Sequence, residues 1–120
     1  MEHNFFGKHI IVEMYEINNK KFCDSDKIIN IVEHSINKSG ATLIKTLFYS
    51  FDNGGFTLVS LLKESHVSIH TYPEHQAIFM DVFTCGNIDG LVIYEYIKHY
   101  FEPKYVEIKQ LIRGITENDF

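Results

Sequence analysis

An α+β two-layer sandwich, with a mainly antiparallel sheet and two helices on one face, is the fold class this sequence predicts. Short segments with period-two alternation outnumber segments with helical periodicity. The two helical segments stand apart, one after the first strand and one before the last. A Gly-Gly turn signal joins two neighbouring strands into a hairpin. At 120 residues the chain suits one domain, residues 1–120, around one core.

The first strand is expected over about His9–Ile17, where Ile10, Val12 and Met14 alternate with Ile11, Glu13 and Tyr15. A helix follows over about Asp26–Lys38, capped by Asp24 or Ser25, with Gly40 just past its end. Its apolar face carries Ile28, Ile29, Val32 and Ile36. Thr42–Phe51 and Phe56–Leu62 read as strands joined through Asp52-Asn53-Gly54-Gly55, where glycine accepts positive φ without steric cost. Val67–Tyr72 is the next strand, stopped by Pro73, which cannot donate to a ladder. Ala77–Thr84 follows and ends at Gly86. The second helix runs from Ile88 or Asp89 to Tyr100, with Ile93, Ile97, Tyr100 and Phe101 on one face and Pro103 beyond it. Tyr105–Ile112 is the last strand.

Apolar residues make up 45% and charged residues 22%, which fits a folded domain and not a disordered chain. Net charge is −5, and no Lys/Arg run is present to follow a phosphate backbone, so nucleic acid is not an expected partner. The acidic balance suits a cationic substrate but equally describes many soluble proteins. No stretch reaches the ~18 apolar residues of a membrane span, and Met1–Lys8 lacks a signal-peptide core. A cytoplasmic protein without a membrane partner is the expectation. Cys23 and Cys85 argue weakly for a disulfide in a reducing compartment. The abundant Phe and Tyr exceed what so small a core easily buries, so self-association is expected, with the second sheet face as the surface to cover.

The chemistry concentrates in Lys63-Glu64-Ser65-His66-Val67-Ser68-Ile69-His70-Thr71-Tyr72-Pro73-Glu74 and in Asp81-Val82-Phe83-Thr84-Cys85-Gly86. A metal site on His66 and His70 would need both on one helix turn. The β-branched Val67 and Ile69 make this a strand, on which four residues span ~13 Å, too far for two nitrogens at ~2 Å from one zinc. A hydrolase would use Ser65 or Cys85 as nucleophile and His70 as base, but there is no Gly-x-Ser-x-Gly elbow. Ordinary hydrogen-bonded serines and histidines on a sheet face remain a third reading. Composition and periodicity leave these open.

The same words resemble a known family. Glu64-Ser65-His66, then His70-Thr71-Tyr72-Pro73-Glu74, then Asp81-Val82-Phe83-Thr84-Cys85-Gly86 closely resemble the processing and catalytic region of bacterial and archaeal S-adenosylmethionine decarboxylases, small pyruvoyl-dependent decarboxylases. Gly7-Lys8-His9-Ile10-Ile11-Val12-Glu13-Met14-Tyr15, Ser39-Gly40-Ala41-Thr42 and Arg113-Gly114 extend the likeness over most of the chain. Two departures stand out. Tyr72 replaces a common tryptophan, and Gly55-Phe56-Thr57-Leu58 replaces Gly-Val-Ser-Gly, so that Thr57 stands where the family's processing serine would be.

The resemblance implies self-cleavage between Glu64 and Ser65 into a β chain, 1–64, and an α chain, 65–120, whose first residue becomes a covalent pyruvoyl group. Ser65 is then the precursor of the group that forms a Schiff base with the substrate. His70 takes the α-proton during processing and Thr57 supports the processing intermediate. Cys85 returns a proton to the substrate, and Phe51 and Glu74 contact it. No metal is implied. The substrate is S-adenosylmethionine, giving the aminopropyl donor for spermidine synthesis, or else arginine or ornithine; an uncleaved regulatory homologue is the remaining alternative. Members of this family pair their protomers, so a homodimer of α/β pairs is implied. On a straight strand ~16 Å separates Ser65 from His70, so their contact requires a bend or a second subunit.

Overall fold

The computed structural model describes residues 5–85 and 87–115. Gly86, the last residue of the Phe-Thr-Cys-Gly segment, lies outside the described residues, as do 1–4 and 116–120. The elements in chain order are β1 (Phe5–Tyr15), α1 (Ser25–Ser39), β2 (Leu43–Ser50), β3 (Phe56–Leu62), β4 (Ser65–Tyr72), β5 (Ala77–Cys85), α2 (Gly90–Phe101) and β6 (Tyr105–Ile115), with short 3-10 turns at Asn19–Phe22 and Pro73–His75. The strands form one sheet in the order β2-β3-β4-β5-β1-β6. Every neighbouring pair is antiparallel, a stricter arrangement than the mainly antiparallel sheet expected.

The ends of the elements follow local chemistry. Asp24 caps α1 by accepting from the Lys27 amide at 3.1 Å, and Gly40 closes it at φ 89°. The first strand stops at Tyr15, two residues before the expected end, because Glu16 turns to φ 57°. Ile17 then enters the core, its amide bonded to the Gln76 carbonyl at 3.1 Å. Asp89 caps α2 through the Leu91 amide.

One apolar cluster joins Ile28, Val32 and Ile36 of α1 and Ile93 and Ile97 of α2 to Ile10, Val12, Leu58, Val67, Ile69 and Val82 of the sheet. Both helices therefore cover the same sheet face. The other face is open, and the register arranges it in rows. One row runs Leu47, Val59, Ser68, Asp81, Ile11, Lys109; a second runs Tyr49, Thr57, His70, Phe79, Glu13, Glu107; a third runs Lys45, Leu61, His66, Phe83, His9, Leu111. Ile11, Leu47, Val59, Leu61, Phe79 and Leu111 are all exposed there. Among the described residues no helix is long and apolar enough to cross a membrane.

Candidate active site

Leu62 pairs with Ser65, so Lys63 and Glu64 alone form the turn between β3 and β4. The Glu64–Ser65 bond therefore sits at the lip of the sheet. Strand alternation sends the Ser65 side chain to the helix side, where it is 8% exposed. A cleft of about 220 Å³ opens beside it, lined by Gly40, Ala41, Thr42, Leu62, Lys63, Glu64, Ser65 and Ile88. The Lys63 amide donates to the Thr42 carbonyl at 3.0 Å and ties the turn to the end of α1.

Cys85 reaches the same bond from β5. Its thiol lies 3.3 Å from Glu64 Oε2 and 3.6 Å from the Glu64 carbonyl oxygen, the carbonyl of the 64–65 peptide itself. Burial raises the thiol pKa, and the hydrogen bond and negative charge of Glu64 raise it further. Cys85 is thus a thiol that favours its protonated form beside Glu64, at the carbonyl of the 64–65 peptide. Cys23, the other free thiol, is exposed and distant in the chain.

A second group occupies the opposite end of the same strands. Thr57 faces His70 across β3 and β4, with Oγ1 3.3 Å from Nδ1. Thr71 locks this end from the core side: its hydroxyl accepts from the Phe56 amide at 2.7 Å and donates to the Phe56 carbonyl at 3.1 Å. Glu74 accepts from the Asn53 side-chain amide at 3.1 Å. Phe51 is exposed and packs edge-on to Tyr49, with ring centroids 5.1 Å apart. A cleft of about 600 Å³, lined by Tyr15, Tyr72, Glu74, His75, Ala77 and Phe79, lies at this end. Tyr72 and Glu74 therefore share one wall.

The chain thus brings Glu64, Ser65 and Cys85 together, and Thr57 and His70 together, but keeps the two groups apart. Ser65 and His70 are five residues apart on β4 and point to opposite faces, a separation of ~16 Å along the strand. Cys85 is six residues along β5 from Phe79, the partner of His70, or ~20 Å. A hydrolase using His70 as base for Ser65 or Cys85 within one chain does not fit this arrangement.

Sequence reasoning missed one cluster. His66 and His70 do not meet, as the strand spacing requires. His66 instead turns to Asp81, its Nε2 3.1 Å from Oδ2, and His9 approaches the same oxygen at 2.6 Å. Ser68 donates to the other carboxylate oxygen. Partial burial pushes the Asp81 pKa up, but the bonds from Ser68, His9 and His66 outweigh it and hold the carboxyl below its usual value. Phe83 packs against both imidazoles, at 5.5 Å from His9 and 5.9 Å from His66, and the Arg113 guanidinium sits 4.9 Å over its ring. The signal in the sequence was Asp81 itself, a charged residue between apolar Met80 and Val82 in a central strand.

Comparison with known proteins gives the class of this small α+β protein, a decarboxylase. A family model described as S-adenosylmethionine decarboxylase matches residues 8–114. The chain is 38% identical over 118 residues to S-adenosylmethionine decarboxylase proenzyme 2 of Bacillus cereus, covering 98% of this chain and 96% of that one. It is 39% identical over 113 residues to S-adenosylmethionine decarboxylase proenzyme of Hydrogenobaculum sp., covering 93% and 84%. The crystal structure of the adenosylmethionine decarboxylase from Aquifex aeolicus superimposes with a TM-score of 0.81 at 34% identity, covering 93% of each chain. The chain belongs to the S-adenosylmethionine decarboxylase family.

Proposed function

We propose that this chain cuts itself between Glu64 and Ser65 and then decarboxylates S-adenosylmethionine as a homodimer, each site drawing on both copies. The observation that carries this reading is the separation of the two groups described above. Glu64, Ser65 and Cys85 hold one end of the strands, and Thr57, His70, Tyr72 and Glu74 hold the other. Two copies stacked open face to open face, about a two-fold axis running across the strands, place unlike ends over each other. The exposed Ile11, Leu47, Val59 and Phe79 supply the apolar surface for that contact.

In processing, Ser65 Oγ attacks the Glu64 carbonyl carbon, the C–N bond breaks and an ester forms. Removal of the Ser65 α-proton, assigned to the partner's His70, expels the Glu64 carboxylate by breaking the Cβ–Oγ bond. The dehydroalanine so formed tautomerises to an imine, and water releases ammonia to leave a pyruvoyl group. The residues at the bond fit such a group: the adjoining cleft is small, and the neighbouring Cys85 thiol favours its protonated form. The group supplies an electron sink when the substrate carboxylate leaves as carbon dioxide. Cys85 gives its proton to the substrate α-carbon. Thr57 orients His70, and Phe51 and Glu74 receive the cationic substrate, with Tyr72 beside Glu74 in the wall. The product is the aminopropyl donor used to make spermidine. Two free thiols fit a reducing, cytoplasmic setting.

Co-expression of two inactive variants tests this reading. Ser65→Ala and His70→Ala chains are each expected to stay whole alone. Together, the tagged His70→Ala chain should be cut and carbon dioxide release from S-adenosylmethionine should return. A mixture that stays whole while wild type cuts would refute the shared site. Wild type that releases carbon dioxide only from arginine or ornithine would refute the substrate.

A further inference from the structure

The geometry points to the His9–Asp81–His66 cluster as a clasp that positions the Glu64–Ser65 bond for self-cleavage, an inference that rests on the self-processing reading above. His66 is the second residue after the bond, next to Ser65. Its ring is anchored to Asp81 on β5, and Asp81 is anchored in turn to His9 on β1 and Ser68 on β4. The bond to be cut thus lies one residue from a side chain fastened across three adjacent central strands. On its other side the Lys63 amide is bonded to Thr42, and Cys85 touches Glu64. The Ser65 hydroxyl must meet the carbonyl carbon of the preceding residue within one short stretch of chain, so rotation about residues 64–66 decides whether attack occurs.

The cluster reads as a hydrogen-bonded clasp and not as an ion site. His9 Nε2 and Asp81 Oδ2 are 2.6 Å apart, a hydrogen-bond distance, whereas two ligands of one tetrahedral zinc lie about 3.3 Å apart when each is ~2 Å from the metal. Both imidazoles donate to one oxygen, and the carboxylate's second oxygen accepts from Ser68, so both carboxylate oxygens are engaged. The Arg113 guanidinium over the intervening Phe83 adds a positive charge close by. Asp81, His9 and His66 are positioning residues: they touch neither the attacking hydroxyl nor the carbonyl carbon.

The test follows the time course of cleavage in freshly refolded chains. Asp81→Asn and His66→Leu should slow the appearance of fragments ~10–100-fold, the scale of a misplaced reacting pair. His66→Gln keeps an N–H donor where Nε2 was and should recover most of the rate, an outcome a merely space-filling ring would not give. Thermal midpoints of the same substitutions on the uncleavable Ser65→Ala background separate positioning from loss of fold. Hydroxylamine splits the ester but not the peptide, so variants stalled before the acyl shift should stay whole in it. Cleavage of His66→Leu at the wild-type rate, or equal slowing of His66→Gln and His66→Leu, would overturn the clasp. Accumulation of a hydroxylamine-sensitive ester in Asp81→Asn would overturn it too. Wild type that never cleaves would instead remove the self-processing reading on which the clasp depends.

Discussion

At the scale of single residues, Cys85 and Asp81 carry opposite electrostatic signatures. Cys85 is pushed up by burial and by Glu64, so it keeps its proton to a pH above the usual thiol value. In the proposed role of proton donor it acts when protonated, so the alkaline fall in turnover should lie above that value. Glu64→Gln removes the side-chain charge, leaving only the terminal carboxylate that cleavage creates, and should move the fall to lower pH in a profile of carbon dioxide release; an unmoved limb would assign it to another group. Cys85→Ala should still cut but lose most turnover, read as fragments on a denaturing gel against an activity assay. Asp81 is pulled below its usual value, so its contribution to stability is present above the unfolded value of ~3.9 and is lost as pH falls through the lower, folded value. On the Ser65→Ala background, Asp81→Asn should flatten the loss of stability in acid, measured by urea unfolding below pH 5.

At the scale of elements, the caps and close approaches set the tolerances. Asp24→Ala should cost about 1 kcal/mol by freeing the Lys27 amide, a drop of several degrees in the thermal midpoint. A Cβ on Gly7 would lie 2.7 Å from the Phe83 ring and 2.9 Å from the Thr84 carbonyl. Since that ring packs against His9 and His66, Gly7→Ala should slow self-cleavage more than it lowers the midpoint on the uncleavable background. Both helices were legible from one apolar face each, and the strands from short apolar-rich runs bounded by turn residues. β4 begins at Ser65, two residues before the expected Val67, since the Lys63-Glu64 turn contains none of the Gly, Pro, Asn or Asp that usually mark one. Glu64, Ser65, His70 and Cys85 were legible only as a motif. Their division between two ends of the sheet was foreshadowed by strand spacing, whereas His9 and Asp81, 72 residues apart in sequence, meet only through strand order.

For the whole molecule, the proposed homodimer puts the open face at the contact. Sedimentation at micromolar concentration should give a dimer, and Leu47→Asp with Val59→Asp, both in the central row, should give monomers that no longer cut if sites are shared. A dimer with unchanged cleavage would place the contact elsewhere. The strand order has a further consequence. Residues 1–64 supply β1, β2 and β3, and residues 65–115 supply β4, β5 and β6, yet β1 lies between β5 and β6 with eleven register pairs to β6 alone. Cutting at 64–65 therefore leaves two peptides laced through one another, neither of which holds a contiguous half of the sheet. The uncut chain should regain its own protomer structure by a first-order process, with pairing of copies as a later step. The cut protein, once denatured, must bring two peptides together, so its recovery becomes second-order and slows on dilution. Maturation would trade reversible folding for a form that assembles once, and dilution refolding of cut and Ser65→Ala protein side by side would read that difference directly.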